Sequence, residues 1–302
     1  LRTEWRLAAR LLLVGLPLTV LAGYAAVALL LPGLGVGLTL FVASALAPTD
    51  AALGAPTVSN PAVPRRIRNL LNVESGLNDG LATPVVLLAL AIAAGGDAEA
   101  GGAVLELAIG LGVGAALGWL GGRAMARATV REAITVVGRG IVLVTLPVVG
   151  YLGASLLSGN GFVAAFVAGL AFAVGAGPLA HEAPSETALE AAIGILGPGV
   201  WFVFGAAVGP IVSAGLGWET VLLAVSSLTV LRMVPVALSL IGSGLRPQTV
   251  AFMGWFGPRG LASLVFLLLS IEELGAGGGV VDDAHAVAVV TIGVTVLGSV
   301  VA

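Results

Sequence analysis

Two neighbouring apolar segments of this chain carry polar residues that could bind a hard cation or a proton. The first segment ends in Thr49 and Asp50, and the second contains Ser75, Asn78 and Asp79. Carboxylate, amide and hydroxyl oxygens suit alkali cations and protons rather than soft metals. We therefore expect ion chemistry in this part of the chain.

The second segment places its polar residues on one wide face of a helix. In the run NLLNVESGLNDGLATPVVLLAL, residues four apart stack on the same side, which pairs Ser75 with Asp79 and Glu74 with Asn78. The two pairs lie about 100° apart around the helix axis. Several oxygen ligands can therefore face one site.

The first segment is predicted to break near Asp50. Pro48 lacks a backbone N–H and clashes with the preceding turn, and Gly54 and Pro56 disrupt the turn that follows. A broken helix at membrane depth exposes carbonyls and helix ends that can bind ions. The alternative, a packed helix that Pro48 merely kinks, stays open at this point.

Two later apolar segments each contain an arginine. Arg232 lies in SSLTVLRMVPVALSL, and Arg259 follows Pro258 in MGWFGPRGLASLVF. A buried arginine keeps its proton, so each should have a carboxylate partner or line a wet cavity. For Arg259, a side chain that reaches the membrane surface is the open alternative. His181 and His285 lie in a loop or at the end of a segment, so we expect no histidine metal site.

The composition requires a bilayer rather than water as the solvent. Of the 302 residues, 58% are hydrophobic and 10% are charged, whereas a soluble domain is about a quarter charged. The apolar segments do not alternate with polar residues as barrel strands do, so we predict an all-α integral membrane protein with one domain over residues 1–302. The net charge of −3 gives no basis for nucleic-acid binding, and the absence of cysteine excludes disulfides and thiolate metal sites.

We expect about ten transmembrane helices, since a span needs roughly 20 apolar residues. With the loops assigned alternately to the two sides, 11 of the 13 arginines fall on one side and none on the other. The positive-inside rule makes the arginine side cytoplasmic, and both ends of the chain with it, in a multi-pass protein of the cell membrane. The predicted spans are residues 11–31, 34–53, 70–94, 103–122, 136–157, 160–176, 190–210, 216–240, 247–270 and 285–302.

The stretches APTDAALGAP and VPRRIRNLLNVESGLNDGLATPVVLL resemble the monovalent cation/proton antiporters. That family includes bacterial and archaeal sodium/proton antiporters and animal sodium/proton exchangers. GFVAAFVAGLAF and AFMGWFGPRGLASLVFLLL resemble it as well, so the resemblance covers nearly the whole chain. It implies an inverted-repeat fold with broken crossing helices, assembled as a homodimer. Against the family's thirteen-helix form the first three helices are absent, and the chain begins without Met, so we expect an N-terminally truncated sequence.

The resemblance also implies the ligand set of the site. Asp79 corresponds to the essential aspartate that binds cation and proton, and Thr49, Asp50 and Ser75 correspond to its companions at a monovalent-cation site. Asn78 corresponds to the asparagine of the electroneutral branch, in place of the second aspartate of the electrogenic branch. A departure is Ala51, where many members have proline.

Three further charged residues have implied roles outside that ligand set. Glu74 corresponds to a glutamate that pairs with a membrane arginine, for which Arg232 is the candidate. Arg259 corresponds to an accessory arginine of the penultimate helix.

These features predict a transporter without a catalytic residue or cofactor. Asp79 would bind a cation or a proton but not both, so that Na⁺, or K⁺ or Li⁺, is exchanged for H⁺ by alternating access. A proton-coupled solute symporter and a cation channel stay open as alternatives. A more remote one is an intramembrane aspartyl hydrolase with Asp50 and Asp79 as its acid/base pair, which would leave Glu74 and Arg232 without a role.

Overall fold

The computed structural model describes residues 2–51, 53, 60–95, 97–177, 191, 193–206, 217–275 and 283–301. Every regular element within these ranges is a helix, which confirms the all-α prediction. Gly54, Pro56 and His181 lie outside the described residues.

The first half of the described chain contains seven α-helices and two short helical turns of other types. A π-helical turn at Leu11–Gly15 joins the first two helices, and a 3₁₀ turn at Pro32–Leu34 precedes the third. The helices are α1 (Arg2–Arg10), α2 (Leu16–Leu30), α3 (Gly35–Ala45), α4 (Arg65–Gly95), α5 (Asp97–Val130), α6 (Val136–Leu156) and α7 (Gly161–Ala176).

The second half of the described chain is built mainly from shorter helices. They are α8 (Ile193–Ala206), α9 (Trp218–Leu228), α10 (Val230–Ser239), α11 (Pro247–Trp255), α12 (Leu261–Gly275) and α13 (Asp283–Val301). Thr229 interrupts the eighth predicted span between α9 and α10 with φ −119° and ψ −97°.

All ten predicted spans have helical counterparts in the described residues. Among the described residues, six helical stretches are long and apolar enough to cross a membrane, and Pro32–Ala45, Gly161–Ala176 and Ile193–Ala206 are shorter apolar helices. The ninth span, predicted over 247–270, consists of two helices, α11 and α12, separated by residues 256–260. Pro258 has no N–H to continue a helical ladder, which accounts for the interruption.

The chain divides into two compact units, Leu1–Asp97 with Val200–Ala302, and Ala98–Gly199. In the first unit the core surrounds α3, whose Phe41, Val42 and Ala45 are fully buried. They belong to one apolar cluster with Val86 of α4 and Ile292 of α13. The short α3 is therefore held on several sides and can end in a fixed unwound stretch.

The second unit is built on a close approach of α5 and α7. Gly114 and Gly118 leave no space for a side chain, because a Cβ on either would collide with the backbone of Ala164 or Ala168. Small residues at every fourth position let membrane helices pack backbone to backbone. The glycine-rich sequence of α5 is therefore used for packing within this unit.

Candidate functional site

Two unwound stretches meet inside the first unit. One follows α3, from Leu46 to Asp50, and the other joins α11 to α12. They are bonded through their backbones, since the N–H of Asp50 donates to Pro258 O at 2.8 Å. The predicted break near Asp50 is thus present, and it faces a second break.

The helix ends created by these breaks are compensated by side chains from the opposite stretch. Asp50 Oδ2 accepts a hydrogen bond from the Leu261 N–H, at the beginning of α12, at 3.3 Å. Arg259 Nη1 donates to Ala47 O at 3.4 Å and to Pro48 O at 3.2 Å, beyond the end of α3. An anion at a helix start and a cation at a helix end both complement the helix dipole.

Arg259 is fully buried, and its partners differ from those we expected. Besides the two carbonyls after α3, its Nη2 donates to Ser227 O at 2.9 Å and to Ser227 Oγ at 3.4 Å. Within the described residues, its hydrogen-bond partners are oxygens of the main chain and of Ser227, and not the carboxylate that was one of the two expected surroundings. Carbonyls after the end of α3 and near the end of α9 take the place of that carboxylate.

Glu74 and Arg232 lie against each other in the interior. Arg232 Nη2 is 3.0 Å from Glu74 Oε1, and both side chains are less than a tenth exposed. The same nitrogen lies 3.4 Å from Phe256 O, at the end of α11. The pair therefore connects α4 and α10 to the second break.

The polar face of α4 is bonded to the first break. Asn78 Nδ2 donates to Thr49 Oγ1 at 2.9 Å and to Thr49 O at 3.3 Å. Ser75 Oγ accepts a hydrogen bond from the Ala51 N–H at 2.8 Å. Because Asn78 acts as a donor here, its amide orientation is fixed by the backbone beside Asp50.

A small enclosed space lies between the two breaks. It measures about 10 Å³, and it is lined by Thr49, Asp50, Ala51, Leu71, Glu74, Ser75 and residues 256–258. A space of this size accommodates about one water-sized species. The structure thus brings three of the four predicted cation ligands, Thr49, Asp50 and Ser75, together around one small space.

Asp79, the fourth predicted ligand, lies one helical turn beyond Ser75 on the same face of α4. Its side chain is partly buried, and its Oδ1 is buried without a hydrogen-bond partner in the described part of the chain. Asp79 is not among the residues that line the small space. It stands next to Asn78, which contacts Thr49 directly.

The packing of both breaks depends on two glycines. A Cβ on Gly260 would collide with the Asp50 carboxylate, and a Cβ on Gly257 would collide with the Arg232 guanidinium. Both residues belong to the GPRG run, in which the sequence analysis singled out only Arg259 as a site residue. Their role depends on close approach and not on an unusual φ angle.

Sequence analysis also missed the serines that complete the site. Ser227 contacts Arg259, Ser263 Oγ donates to Ala45 O at 2.7 Å, and Ser299 Oγ accepts from the Arg259 N–H at 3.1 Å. The signal in the sequence was an isolated serine within an apolar span, because a buried hydroxyl needs a hydrogen-bond partner.

The described residues contain no group of three or more histidine, cysteine or acidic side chains suited to a metal ion. His285 is buried at the start of α13, with Nε2 at 3.2 Å from Ser270 Oγ. The candidate site is therefore a mixed set of carboxylate, hydroxyl and carbonyl oxygens.

Comparison with known proteins identifies the family to which the chain belongs. The model of the sodium/hydrogen exchanger family, which describes its transmembrane part, matches residues 1–302. The chain belongs to the sodium/hydrogen exchanger family. This confirms the family inferred from the stretches APTDAALGAP and VPRRIRNLLNVESGLNDGLATPVVLL. The members of this family are transporters.

Individual relatives agree with the assignment. A 65-residue segment, 20% of this chain, is 43% identical to Na(+)/H(+) antiporter 2 of Zygosaccharomyces rouxii, of which the chain covers 8%. The structure of the sodium proton antiporter MjNhaP1 from Methanocaldococcus jannaschii at pH 8 matches with a TM-score of 0.69. That match covers 97% of this chain and 77% of the other at 18% identity, which shows a shared fold.

Proposed function

We propose that this protein exchanges a monovalent cation for protons across the membrane. Na⁺ is the expected cation, with K⁺ and Li⁺ as the alternatives. Membership of the sodium/hydrogen exchanger family supports the reaction class. The observation that carries the proposal is the small space between two broken helices that Thr49, Asp50 and Ser75 line, adjoining the polar face of α4 that bears Asp79.

The exchange follows from one carboxylate with two alternative occupants. A proton or a cation can neutralise Asp79, and both cannot do so together. Thr49, Asp50 and Ser75 would supply the remaining oxygens around a dehydrated cation, as unwound helices do at membrane sites. If the site changes its exposure only when occupied, each cation carried in one direction is matched by a proton carried in the other.

Asn78 supports an electroneutral stoichiometry. Its side chain carries no charge and donates to Thr49, so it positions the first break without adding a titratable group directly beside Asp79. One carboxylate then exchanges one cation for one proton. We expect the rate in the reconstituted protein to be independent of an imposed membrane potential, and a potential-driven current during exchange would contradict this stoichiometry.

Three further parts of the proposal concern the whole protein. We place it in the cell membrane as a homodimer, with the arginine-rich loops and both ends of this chain on the cytoplasmic side. Residues 1–302 would act as one transmembrane transport domain, and no residue is assigned an enzymatic role. Segregation of the arginines supports the orientation.

The test uses the full-length protein in liposomes that enclose a pH-sensitive dye. A proton gradient is imposed, and Na⁺, K⁺ or Li⁺ is added to wild type, Asp79→Asn and a matched control, Asp283→Asn. Asp283 is an exposed carboxylate in the same unit, at the start of α13. We expect one cation to collapse the gradient in wild type and control, with no response from Asp79→Asn.

Two results would count against the exchanger. If no cation collapses the gradient while the protein is folded, antiport fails, and uptake of organic solutes or channel currents should then be measured. If Asp79→Asn exchanges at the wild-type rate, Asp79 is not the ion-binding carboxylate.

A further inference from the structure

Three arginines form a ladder at one end of α5, in the second unit. Arg123, Arg127 and Arg131 recur at every fourth residue, so they stack on one face. The Arg131 N–H donates to Arg127 O at 3.1 Å, which continues the helical spacing past the end of α5. All three side chains are exposed.

This ladder forms one wall of an open cavity of about 540 Å³. The opposite wall is formed by Val174 to Gly177 at the end of α7, and Gly177 has φ +60°. Gly175 lies so close to α5 that a Cβ on it would approach Trp119 O. The cavity is therefore framed by two helices fixed against each other within one unit.

The three guanidinium groups are available to a ligand. In the described part of the chain, no ion pair or hydrogen bond engages them, and the one contact that involves any of them is the stacking of Arg123 over the Trp119 ring at 5.0 Å. A guanidinium offers paired N–H donors that match phosphate oxygens. Three of them along about 12 Å of helix suit a ligand with phosphate groups.

The surroundings favour a lipid over a soluble phosphate compound. Trp119 is 44% exposed one turn before Arg123, and tryptophan concentrates at the headgroup level of membranes. Val130 and Val174, which line the same cavity, are 79% and 76% exposed. The site thus combines a cationic wall with apolar side chains.

We propose that this cavity binds the phosphate headgroup of an anionic phospholipid. Basic pockets between transmembrane helices are suited to such headgroups. The positive-inside rule accounts for arginines on this side of the membrane, but it does not require a cavity that aligns three of them opposite a second helix. The inference concerns the second unit and does not depend on the exchange reaction proposed above.

The test measures lipid binding by the full-length protein in a neutral detergent, with native mass spectrometry counting bound lipids. Short-chain phosphatidylglycerol is the probe, and phosphatidylcholine is the neutral comparison. The variant is Arg123→Gln/Arg127→Gln/Arg131→Gln. The control, Arg65→Gln/Arg66→Gln/Arg246→Gln, removes the same charge from exposed positions of the first unit.

We expect wild type and control to prefer phosphatidylglycerol and the ladder variant to lose about 100-fold in affinity, from the contribution of three arginines near a surface. Since the three side chains are exposed, the variant should unfold at the wild-type temperature in phosphatidylcholine. If it does not fold, the single Arg127→Gln variant should show a loss of about fivefold.

Three results would overturn the proposal. Equal losses in variant and control would mean diffuse charge attraction and no site. Equal binding of the two lipids by wild type would mean that the headgroup charge is not recognised. Binding of glycerol phosphate as tight as that of phosphatidylglycerol would identify a soluble phosphate ligand instead.

Discussion

The backbone N–H of Asp50 donates a hydrogen bond of 2.8 Å to the carbonyl oxygen of Pro258. Each of these residues lies in a helix break, and a break inside a membrane needs partners for its backbone groups. Asp50 and Arg259 supply further partners, each to the helix end of the opposite stretch. The two breaks therefore stabilise each other, and a change at one should disturb both.

Gly260 tests this mutual dependence. In Gly260→Ala the new Cβ would displace the Asp50 carboxylate from the start of α12. We expect a loss of about 1–3 kcal/mol in stability, as for other overpacked positions, and an exchange rate at least tenfold lower. Thermal unfolding in detergent and the liposome assay measure the two effects.

The matched control is Gly76→Ala on α4, next to Ser75. A Cβ there meets nothing within 4 Å. The substitution should leave exchange intact and stabilise the helix by about 0.5–1 kcal/mol. Similar behaviour of the two alanine variants would show that close packing at Gly260 does not matter.

The Glu74–Arg232 pair predicts a strongly non-additive mutant cycle. Glu74→Gln or Arg232→Gln alone leaves one buried charge without its partner, which typically costs about 3–5 kcal/mol. The double variant removes both charges and should be more stable than either single variant. Unfolding temperatures of the four proteins measure the coupling, with Asp283→Asn as an exposed carboxylate control. Additive losses would mean that the contact contributes little.

Much of the fold could be predicted from local sequence. Apolar length located the spans, and the proline after α3 indicated the break before Asp50. The spacing of Ser75, Asn78 and Asp79 gave a single polar face, because helical periodicity depends only on residues near one another.

The partners of Arg259 could not be predicted in this way. They come from Ala47, Pro48 and Ser227, on elements more than 30 residues away in the chain. Charge pairing suggested a carboxylate or a wet cavity, whereas the fold supplies carbonyls after the end of α3 and near the end of α9.

Arg259 should be sensitive even to a conservative substitution. Lysine keeps the charge, but its single ammonium cannot reproduce a planar group that bonds Pro48 O through one nitrogen and Ser227 O through another. We expect Arg259→Lys to lose about 1.5–3 kcal/mol, the range for a hydrogen bond to a charged group. Arg246→Lys, at an exposed position, is the control. Equal unfolding temperatures for the two variants would contradict a bridging role.

The glycines of α5 predict a defect confined to the second unit. In Gly118→Val the side chain would occupy the space of the Ala168 backbone, so α5 and α7 must separate. Gly112→Val is the matched control, because nothing lies within 4 Å of its Cβ position and the residue is exposed. Hydrogen exchange resolved along the chain is the measurement.

Gly118→Val should raise the exchange of α7 amides, and Gly112→Val should leave it unchanged. Amides of α3 and α4 report on the first unit, where neither substitution makes a contact. If the amides of α3 and α4 lose protection to the same extent as those of α7, the two units do not unfold separately. The close packing at the α5 glycines would then stabilise the whole chain instead of one unit. Protection lost only in the second unit would show that backbone packing by α5 is a local property.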